Sequence, residues 1–393
     1  MFDFENREGL FPGVHRSYKF SLFTISNIPA AKSEFVFFAT KVEQLRETYR
    51  RFSLAPKEIA LFNPNTRTMP VFRTKYDAEI SQSIYRKFPV LESEYKKKNP
   101  WGIWFRQGLF NMTTDSGLFA TSPRDGLVPL YEAKLIWHFD HRWATFDGDD
   151  TRDLTIIEKG NPSFYVTPRY WVPVSEVDAQ LDGWDRNWFL GFRDVTNATN
   201  ERTAIFSIIP KIGVGHTLPL MFTNEETIKI SCLLGNLNSF VFDYIARQKV
   251  GGIHLTFMYL KQLPILPPSA YTPADIEFIA PRVLELVYNA YDLRPFAEDM
   301  GYHGEPFRWD EARRAQLRAE LDATYARLYG LTRDELRYIL DPKEVHGDDF
   351  PGETFRVLKE KEIRLYGEFR TRRLVLGAWE KLQKPKGDDH EMG

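Results

Sequence analysis

The sequence predicts an α+β protein, and two changes in pattern support this prediction. Up to about residue 222, short aromatic and β-branched runs alternate with stretches rich in Trp, Pro and Gly, which is typical of irregular β structure. Beyond residue 223, apolar residues recur every three or four positions, as in amphipathic helices. We therefore expect four parts in order: a terminal β-hairpin at 1–45, a mixed β-rich module at 46–268, a helical region at 269–383 and a charged, disordered tail at 384–393.

The first predicted elements are two strands. Residues 18–25 and 34–39 are aromatic and β-branched, and a Pro-Ala-Ala turn at 29–31 separates them. This arrangement predicts that the two strands pair antiparallel as a hairpin. With no further strand beside it, the edge of the hairpin is exposed, and a partner or a neighbouring segment is needed to cover it.

The module that follows is predicted to be mainly β. Strand-like pieces occur at 154–157, 164–166 and 203–209, and the apolar spacing at 77–85 predicts one short helix. Three consecutive lysines at 96–98 indicate a loop.

Helices dominate the rest of the chain. Apolar residues at 230–245 predict one amphipathic helix that begins near residue 223 and carries Arg247 at its end. A Thr-Pro pair at 272–273 opens a second predicted helix, and 310–328 forms a third. The Thr332 to Glu335 spacing is a capping box for a fourth.

Charge is unevenly distributed. The chain of 393 residues has 43% hydrophobic residues, enough for a large core, but a formal net charge of -2, whereas DNA-binding domains are usually basic. Residues 41–110 hold 14 Lys and Arg against 7 Asp and Glu, and residues 271–393 hold 20 against 25. These counts fit either a basic face and an acidic face or two ordinary solvated surfaces.

Cysteine content and hydropathy bear on the cellular compartment that we expect for this protein. The single Cys232 excludes a disulfide framework and a cysteine-based zinc site. No apolar run approaches the roughly 20 residues that span a bilayer. We therefore expect a cytoplasmic protein without membrane contact.

Residues 246–268 carry the most informative pattern. A helix is expected to end at 247–249, a Gly-Gly turn at 251–252 then presents His254, and an apolar stretch runs to the Pro-Pro pair at 267–268. Cationic and amide side chains at such a corner can reach a groove of DNA. The segment also resembles the end of the target-recognition domain in adenine-specific DNA methyltransferases of restriction-modification and phage-defence systems, where a Gly-Gly-x-His-Leu corner leads into a Pro-rich segment.

Other short motifs extend this resemblance in the same order. Those at 3–7, 10–12 and 16–20 resemble the end of the methyltransferase core, so the predicted hairpin is expected to be the terminal hairpin of a methyltransferase sheet. Those that resemble the recognition region lie at 62–68, 131–134, 139–143 and 169–173. The resemblance implies double-stranded DNA as the partner.

Two motifs needed for methyl transfer are missing. An adenine methyltransferase needs a glycine-rich loop for S-adenosylmethionine and a (D/N)PP(Y/F) loop for the base, which must leave the stack to be reached. The Pro-Pro pair at 267–268 lacks the required neighbours, and the Gly-Val-Gly at 213–215 is too short and too late. We therefore expect a carboxy-terminal portion or split subunit that holds no cofactor or metal, with S-adenosylmethionine bound by a separate methyltransferase catalytic domain or subunit.

The expected DNA contacts are polar or cationic side chains on predicted loops and at the end of the predicted helix. Asn and Arg can bond adenine and guanine bidentately. A purely structural role stays open for each group, because Asn and Pro favour tight turns and cations are favoured at helix carboxy ends. The candidates are Asn63, Asn65, Arg67, Arg142, Arg169, Arg193, Thr196, Arg202, Arg247, Gln248, Lys249 and His254.

Other function classes stay open. Asp125, Glu132 and Lys134 imitate the two-acid and lysine pattern of magnesium-dependent nucleases, and a stand-alone methyltransferase with an unrecognised cofactor loop is a related alternative. The helical region also fits a protein-interaction scaffold of a defence complex. Residues 138–143 fit a structural hydrogen-bond network, a phosphate contact through Arg142, or a metal site.

Overall fold

The computed structural model describes residues 1–181, 183–350 and 354–383. It is a mixed α+β structure with several small sheets and a helical carboxy-terminal region, which confirms the predicted fold class. The predicted tail at 384–393 lies outside the described residues. Within them, every helix is too short or too polar to cross a lipid bilayer.

The strands are short and occur mostly in the first 222 residues. They are β1 (Phe2–Glu5), β2 (Lys19–Leu22), β3 (Ser33–Ala39), β4 (Phe52–Leu54), β5 (Trp104–Arg106), β6 (Leu127–Tyr131), β7 (Ala144–Asp147), β8 (Asp150–Asp153), β9 (Tyr170–Pro173), β10 (Trp188–Phe192), β11 (Phe206–Pro210), β12 (Gly213–Val214) and β13 (Leu220–Phe222).

The helices are concentrated after residue 226. They are α1 (Pro56–Phe62), α2 (Lys75–Lys87), α3 (Ile156–Gly160), α4 (Val174–Ala179), α5 (Thr227–Leu237), α6 (Phe240–Lys249), α7 (Phe257–Leu260), α8 (Pro273–Val287), α9 (Arg294–Asp299), α10 (Glu311–Leu328), α11 (Arg333–Leu340), α12 (Pro342–His346), α13 (Arg356–Tyr366) and α14 (Arg370–Gln383).

The amino-terminal sheet differs from the predicted hairpin. Its strand order is β2-β1-β3-β4, so the expected direct pairing of 18–25 with 34–39 is wrong. Strand β1 inserts between them, antiparallel to β2 and parallel to β3. Its alternating phenylalanines explain the insertion, because Phe4 is buried and its ring stacks 5.1 Å from that of Phe20. Strand β2 keeps an open edge, and the chain beyond it exposes Phe23, Ile25 and Ile28.

A central antiparallel sheet, β11-β10-β13-β5, separates two hydrophobic cores. Successive side chains of a strand point to opposite faces. Accordingly, Trp188 and Leu190 of β10 join the larger core, whereas Phe189 joins a smaller one around the β12-β6-β9 sheet. Both faces are therefore covered, which explains why every residue of β10 and β11 is buried.

Two strand predictions in the mixed module are wrong. Residues 154–157 lead into α3, because the Thr155 side chain caps the helix by accepting from the Glu158 amide. Residues 164–166 lie outside the strands. The piece at 203–209 is confirmed in part as β11, and the helix predicted at 77–85 is confirmed as α2.

The helical region follows its local signals except at one point. Thr272, Asp310 and Thr332 cap α8, α10 and α11 as predicted. The single helix predicted up to Arg247 is instead two, α5 and α6. Its break lies at Asn238, whose amide both accepts from the Phe206 backbone N–H and donates to the Phe206 carbonyl, each at 3.0 Å.

The larger core unites distant parts of the chain. It contains Phe35 of β3, Phe192 of β10, Leu237 of α5 and Trp379 of α14. Helix α10 packs against α14, and α5 packs against α8. The boundaries expected at residues 45 and 268 stay a prediction, but the segments on either side of them share this core.

Candidate nucleic-acid interface

A buried aspartate in the first turn of α6 organises two of the predicted DNA-contacting arginines. Asp243 is completely buried, and its carboxylate pairs with Arg202 at 2.7 Å and with Arg247 at 3.0 Å. It also accepts from the Thr203 backbone N–H at 3.2 Å. Because a buried carboxylate without partners is costly, these arginines compensate its charge inside the protein.

Arg247 also shapes the polar loop at 193–203. Its side chain is buried, and its two terminal nitrogens donate to the backbone carbonyls of Ala198, Asn200, Glu201 and Thr354 at 2.7 to 3.1 Å. With the ion pair to Asp243, the guanidinium is engaged on all sides. Contact of Arg202 or Arg247 with DNA would first require breaking these bonds.

The 193–203 loop lies against the Gly-Gly turn. The Thr196 backbone N–H donates to the Ile253 carbonyl at 3.0 Å, and the Leu255 N–H donates to the Asp194 carbonyl at 2.8 Å. The Thr196 hydroxyl is buried and donates to the Thr203 carbonyl. His254 stays 46% exposed, with Nδ1 3.2 Å from Asp194. Two segments chosen from sequence thus form one corner, with His254 at its surface.

Lys249 turns into the protein from the end of α6. Its amine donates to the Phe62 carbonyl at 2.6 Å and to the side-chain oxygen of Asn63. Burial lowers the pKa of Lys249 to about 7. The neighbouring Gln248 accepts from the Ser81 hydroxyl at 2.9 Å. Both side chains therefore tie α6 to α1 and α2, and neither is suited to anchor a phosphate.

The turn at 63–68 is held from behind by Gln262. The Gln262 side-chain oxygen accepts from the backbone N–H groups of Asn65 and Thr66 at 3.1 and 3.2 Å. Asn63 is buried and donates to the Thr68 carbonyl. These contacts match the structural role that Asn and Pro indicated for this turn.

Asn65 supports a second, strongly basic turn. Its side chain donates to the Glu92 carbonyl and accepts from the Glu94 backbone N–H, both at 2.9 Å. The turn beyond it is closed by two backbone bonds between Ser93 and Lys98. We call residues 95–98 the lysine turn; its four side chains, those of Tyr95, Lys96, Lys97 and Lys98, are exposed.

Arg67 joins the lysine turn at the surface. Its guanidinium lies 4.9 Å from the centre of the Tyr95 ring, which is 71% exposed. An arginine stacked on an accessible aromatic ring, beside three lysines, combines the two features that nucleic-acid surfaces use, positive charge and a stacking plane. In the sequence, the three consecutive lysines indicated only a loop. Their proximity to Arg67 is created by the fold and could not be predicted from the sequence.

Arg142 lies in a buried hydrogen-bond network. Its side chain is 0% exposed and donates to the backbone carbonyls of Lys159, Asn161, Phe164 and Asn289 at 2.8 to 3.0 Å. Beside it, Asp140 pairs with Lys159 at 2.6 Å, and His141 lies 2.9 Å from Asp292. Of the three interpretations of 138–143, the contacts match the structural network. Within the described residues, no cluster of three potential metal ligands occurs.

The two remaining arginines differ in accessibility. Arg193 donates to the carbonyls of Lys134 and Ile136, lies over the Trp137 ring, and has its pKa lowered to about 10 by burial. Arg169 is about half exposed, and its guanidinium is 3.9 Å from Asp149. Of the candidates, Arg67, Arg169 and His254 are therefore the ones that present their polar groups to solvent.

The nuclease alternative lacks the required geometry. Asp125 precedes β6 and Glu132 follows it. Since a strand rises about 3.3 Å per residue, the five residues of β6 hold the backbones of the two acids on the order of 15 Å or more apart, which does not favour a shared metal ion. Lys134 lies 3.6 Å from Glu132, and the ion pair belongs to the surface of the module.

The sequence matches no protein-family model, and a search of curated proteins returned no match.

Proposed function

We propose that this protein recognises duplex DNA in a sequence-dependent way for an adenine-specific DNA methyltransferase of a restriction-modification or phage-defence system. The surface in contact with DNA comprises the lysine turn, Arg67 and the corner that carries His254. Methyl transfer and S-adenosylmethionine binding belong to a separate catalytic domain or subunit.

The observation that carries this proposal is the lysine turn with Arg67. Three lysines and one exposed aromatic ring stand on a turn whose backbone is supported by Asn65, and Arg67 of the neighbouring turn lies over that ring. Phosphate contacts by Lys and Arg supply most of the affinity of a DNA-binding surface. A rigid support matters because a fixed backbone lowers the entropy lost when the side chains bind.

Base readout is assigned to the corner at the end of α6. His254 is exposed beside the Gly-Gly turn, and the chain there is held by the backbone bonds to the 193–203 loop. The loop contributes the exposed Thr199, whose hydroxyl donates to the Asn197 side-chain oxygen at 2.7 Å and can still accept from a base. Imidazole and hydroxyl groups can bond base edges in the major groove, which carries a unique donor and acceptor code.

The amino-terminal sheet supports the need for a catalytic partner. Strand β2 has an unpaired edge and is followed by the exposed side chains Phe23, Ile25 and Ile28. An open, apolar strand edge is a site for pairing with another chain. We place the methyltransferase catalytic part at this edge, because the amino-terminal motifs resemble the end of a methyltransferase core.

Selection of bound duplexes from a random DNA pool tests the proposal. Binding is carried out at low salt, the selected duplexes are sequenced, and the enriched ones are measured again at higher salt. We expect one short motif whose affinity weakens with salt but still exceeds that of scrambled DNA. Binding that is insensitive to sequence would contradict recognition and would favour the scaffold alternative.

A further inference from the structure

A cavity of about 230 Å³ lies where the recognition module meets the carboxy-terminal helices. Its walls come from α10, α13, α14, the 137–143 segment and the end of the 193–203 loop. This volume is below the roughly 300–1,000 Å³ of typical small-molecule sites, so the cavity suits a compact ligand. It is separate from the lysine turn and from His254.

Arg314 presents two unused donors in the wall of this cavity. Its side chain is only 3% exposed, and its Nη1 donates to the Leu286 carbonyl at 2.7 Å. Its Nε and Nη2 have no hydrogen-bond partner among the described residues. The guanidinium is fixed 3.8 Å from the centre of the Trp309 ring. A buried charged donor without a partner is costly, so this arrangement calls for an acceptor.

The two free nitrogens of Arg314 define the kind of acceptor. Nε and Nη2 form one edge of the guanidinium, and two parallel N–H groups of this kind bind two oxygens of a phosphate or carboxylate. A neutral oxygen acceptor satisfies only one of them. Burial lowers the pKa of Arg314 to about 10, which leaves the side chain protonated at neutral pH.

Two further arginines line the same cavity. Arg318 lies one helical turn after Arg314 on α10 and therefore on the same face. Arg370 begins α14, packs on the Tyr366 ring at 4.1 Å, and has an Nε without a hydrogen-bond partner in the described ranges.

Most acids of the cavity wall are already engaged by other donors. Glu362 accepts from the Thr371 N–H and hydroxyl, and Glu201 pairs with Lys361 at 2.8 Å. Asp140 pairs with Lys159 and Glu311 accepts from the Trp309 indole N–H. The field of Asp322 and Glu311 offsets part of the charge of Arg318. Nε and Nη2 of Arg314 and Nε of Arg370 nevertheless have no hydrogen-bond partner among the described residues.

We propose that this cavity binds a compact phosphate group, either inorganic phosphate or the phosphate of a small metabolite. Arg314 holds two of its oxygens side-on, and Arg318 and Arg370 complete its coordination. Because Glu201 and Arg202 of the 193–203 loop also line the cavity, the bound anion joins this loop to α10 and α14. The ligand stabilises the contact between the recognition module and the helical region.

Thermal unfolding of the full chain tests this site without any DNA. In phosphate-free buffer at constant ionic strength, millimolar inorganic phosphate is expected to raise the Tm by about 2–4 °C, since a ligand that binds only the folded state stabilises it. The R314M and R318Q variants are expected to lose this rise. The R313Q variant is the matched control, because Arg313 is the exposed neighbour of Arg314 and pairs with Glu285. It should respond like the wild type.

A second arm distinguishes the sources of the phosphate. A rise with inorganic phosphate identifies a free anion as the ligand, and a rise with adenosine monophosphate alone identifies a phosphorylated small molecule. The proposal fails if neither compound raises the Tm, or if R314M and R318Q respond as strongly as the wild type. R318Q decides the outcome if R314M does not fold. A negative result leaves DNA recognition untouched, because the surfaces are separate.

Discussion

Asp243 and Arg247 lie one turn apart in α6 and form a buried ion pair, with Nε 3.0 Å from Oδ1. Breaking a buried pair by removing one partner costs about 3–5 kcal/mol, and removing Arg247 leaves the Asp243 carboxylate with Arg202 as its one remaining ion-pair partner among the described residues. Arg247 also holds four carbonyls. We therefore expect R247M to lower the free energy of unfolding by about this amount in urea denaturation.

A surface pair provides the control for R247M. Arg333 and Glu380 are 2.7 Å apart, and both side chains are about half exposed. Exposed pairs contribute about 0–1 kcal/mol, so R333A should change stability little. Limited proteolysis adds a local measurement, since R247M should increase cleavage within the 193–203 loop. A loss in R247M no larger than that in R333A would contradict the structural role.

The buried amine of Lys249 predicts a specific pH dependence. Its pKa falls from the usual 10.5 to about 7 on folding, so between these values the unfolded chain carries a proton that the folded protein lacks. Stability must therefore rise as pH increases from about 7 towards 10, and no further change from this group occurs below about 7. In K249M this contribution is absent. The unfolding free energy of the wild type minus that of K249M should therefore increase between about pH 7 and 10. A constant difference would show that the pKa of Lys249 is not lowered.

Asp322 predicts the opposite trend at lower pH. Burial raises its pKa from 3.8 to about 7, and the nearby Asp243 adds to the rise while Arg202 and Arg318 oppose it. Between about pH 4 and 7 the folded state holds a proton that the unfolded chain has released, so stability falls as pH rises through this window. D322N keeps an oxygen to accept from the Phe240 N–H, which donates at 2.8 Å.

Urea unfolding in phosphate-free buffer compares the two proteins. D322N should gain stability relative to the wild type between about pH 4.5 and 7.5. Parallel stability curves would show that Asp322 titrates normally.

The lysine turn predicts how DNA binding responds to salt. Each phosphate contact contributes a slope of about -0.9 to the dependence of log affinity on log salt. The R67A/K96A/K97A/K98A variant should therefore bind DNA more weakly and reduce the slope by up to about 3–4. Fluorescence anisotropy with a fixed duplex at several salt concentrations measures both quantities.

A control variant separates a local surface from overall charge. Arg124, Arg364 and Lys381 are exposed cations in other parts of the structure. The R124A/R364A/K381A variant changes the net charge by nearly as much and should leave the salt slope close to that of the wild type. Equal slopes for the two variants would mean that the lysine turn has no special role.

Local signals explain which helices could be predicted from the sequence. Thr272 and Thr332 each bond an acid three residues later, so the information for these helix starts lies within one turn. The break at Asn238 depends on Phe206, which is 32 residues away and adjacent only in the fold. Strand β1 has four residues, too few for a periodic pattern to be distinguished from a loop.

The candidate site shows the same division between local and distant information. The spacing of Asp243 and Arg247 is that of an ion pair on one helix face, so the pairing of Arg247 had a readable signal. In contrast, Asn65 contacts Glu92 and Glu94 across a gap of almost 30 residues. Chemical type could be predicted for these side chains. Their exposure could not, because it depends on which carbonyls the fold brings to them.

The last prediction concerns Gly235 in α5. Replacing glycine by alanine inside a helix normally stabilises a protein by about 1 kcal/mol. A Cβ at Gly235 would lie 2.8 Å from the hydroxyl of Tyr325, which is fully buried and donates to the Cys232 carbonyl at 2.6 Å. Tyr325 cannot move away without losing this bond and its packing between α5 and α10, and overpacking of this kind costs about 1–3 kcal/mol. We expect G235A to lower the Tm.

Gly377 in α14 is the matched control, because its Cβ position has no neighbour within 4 Å among the described residues. G377A should raise the Tm slightly, and a similar rise in G235A would show that the α5–α10 contact tolerates a methyl group.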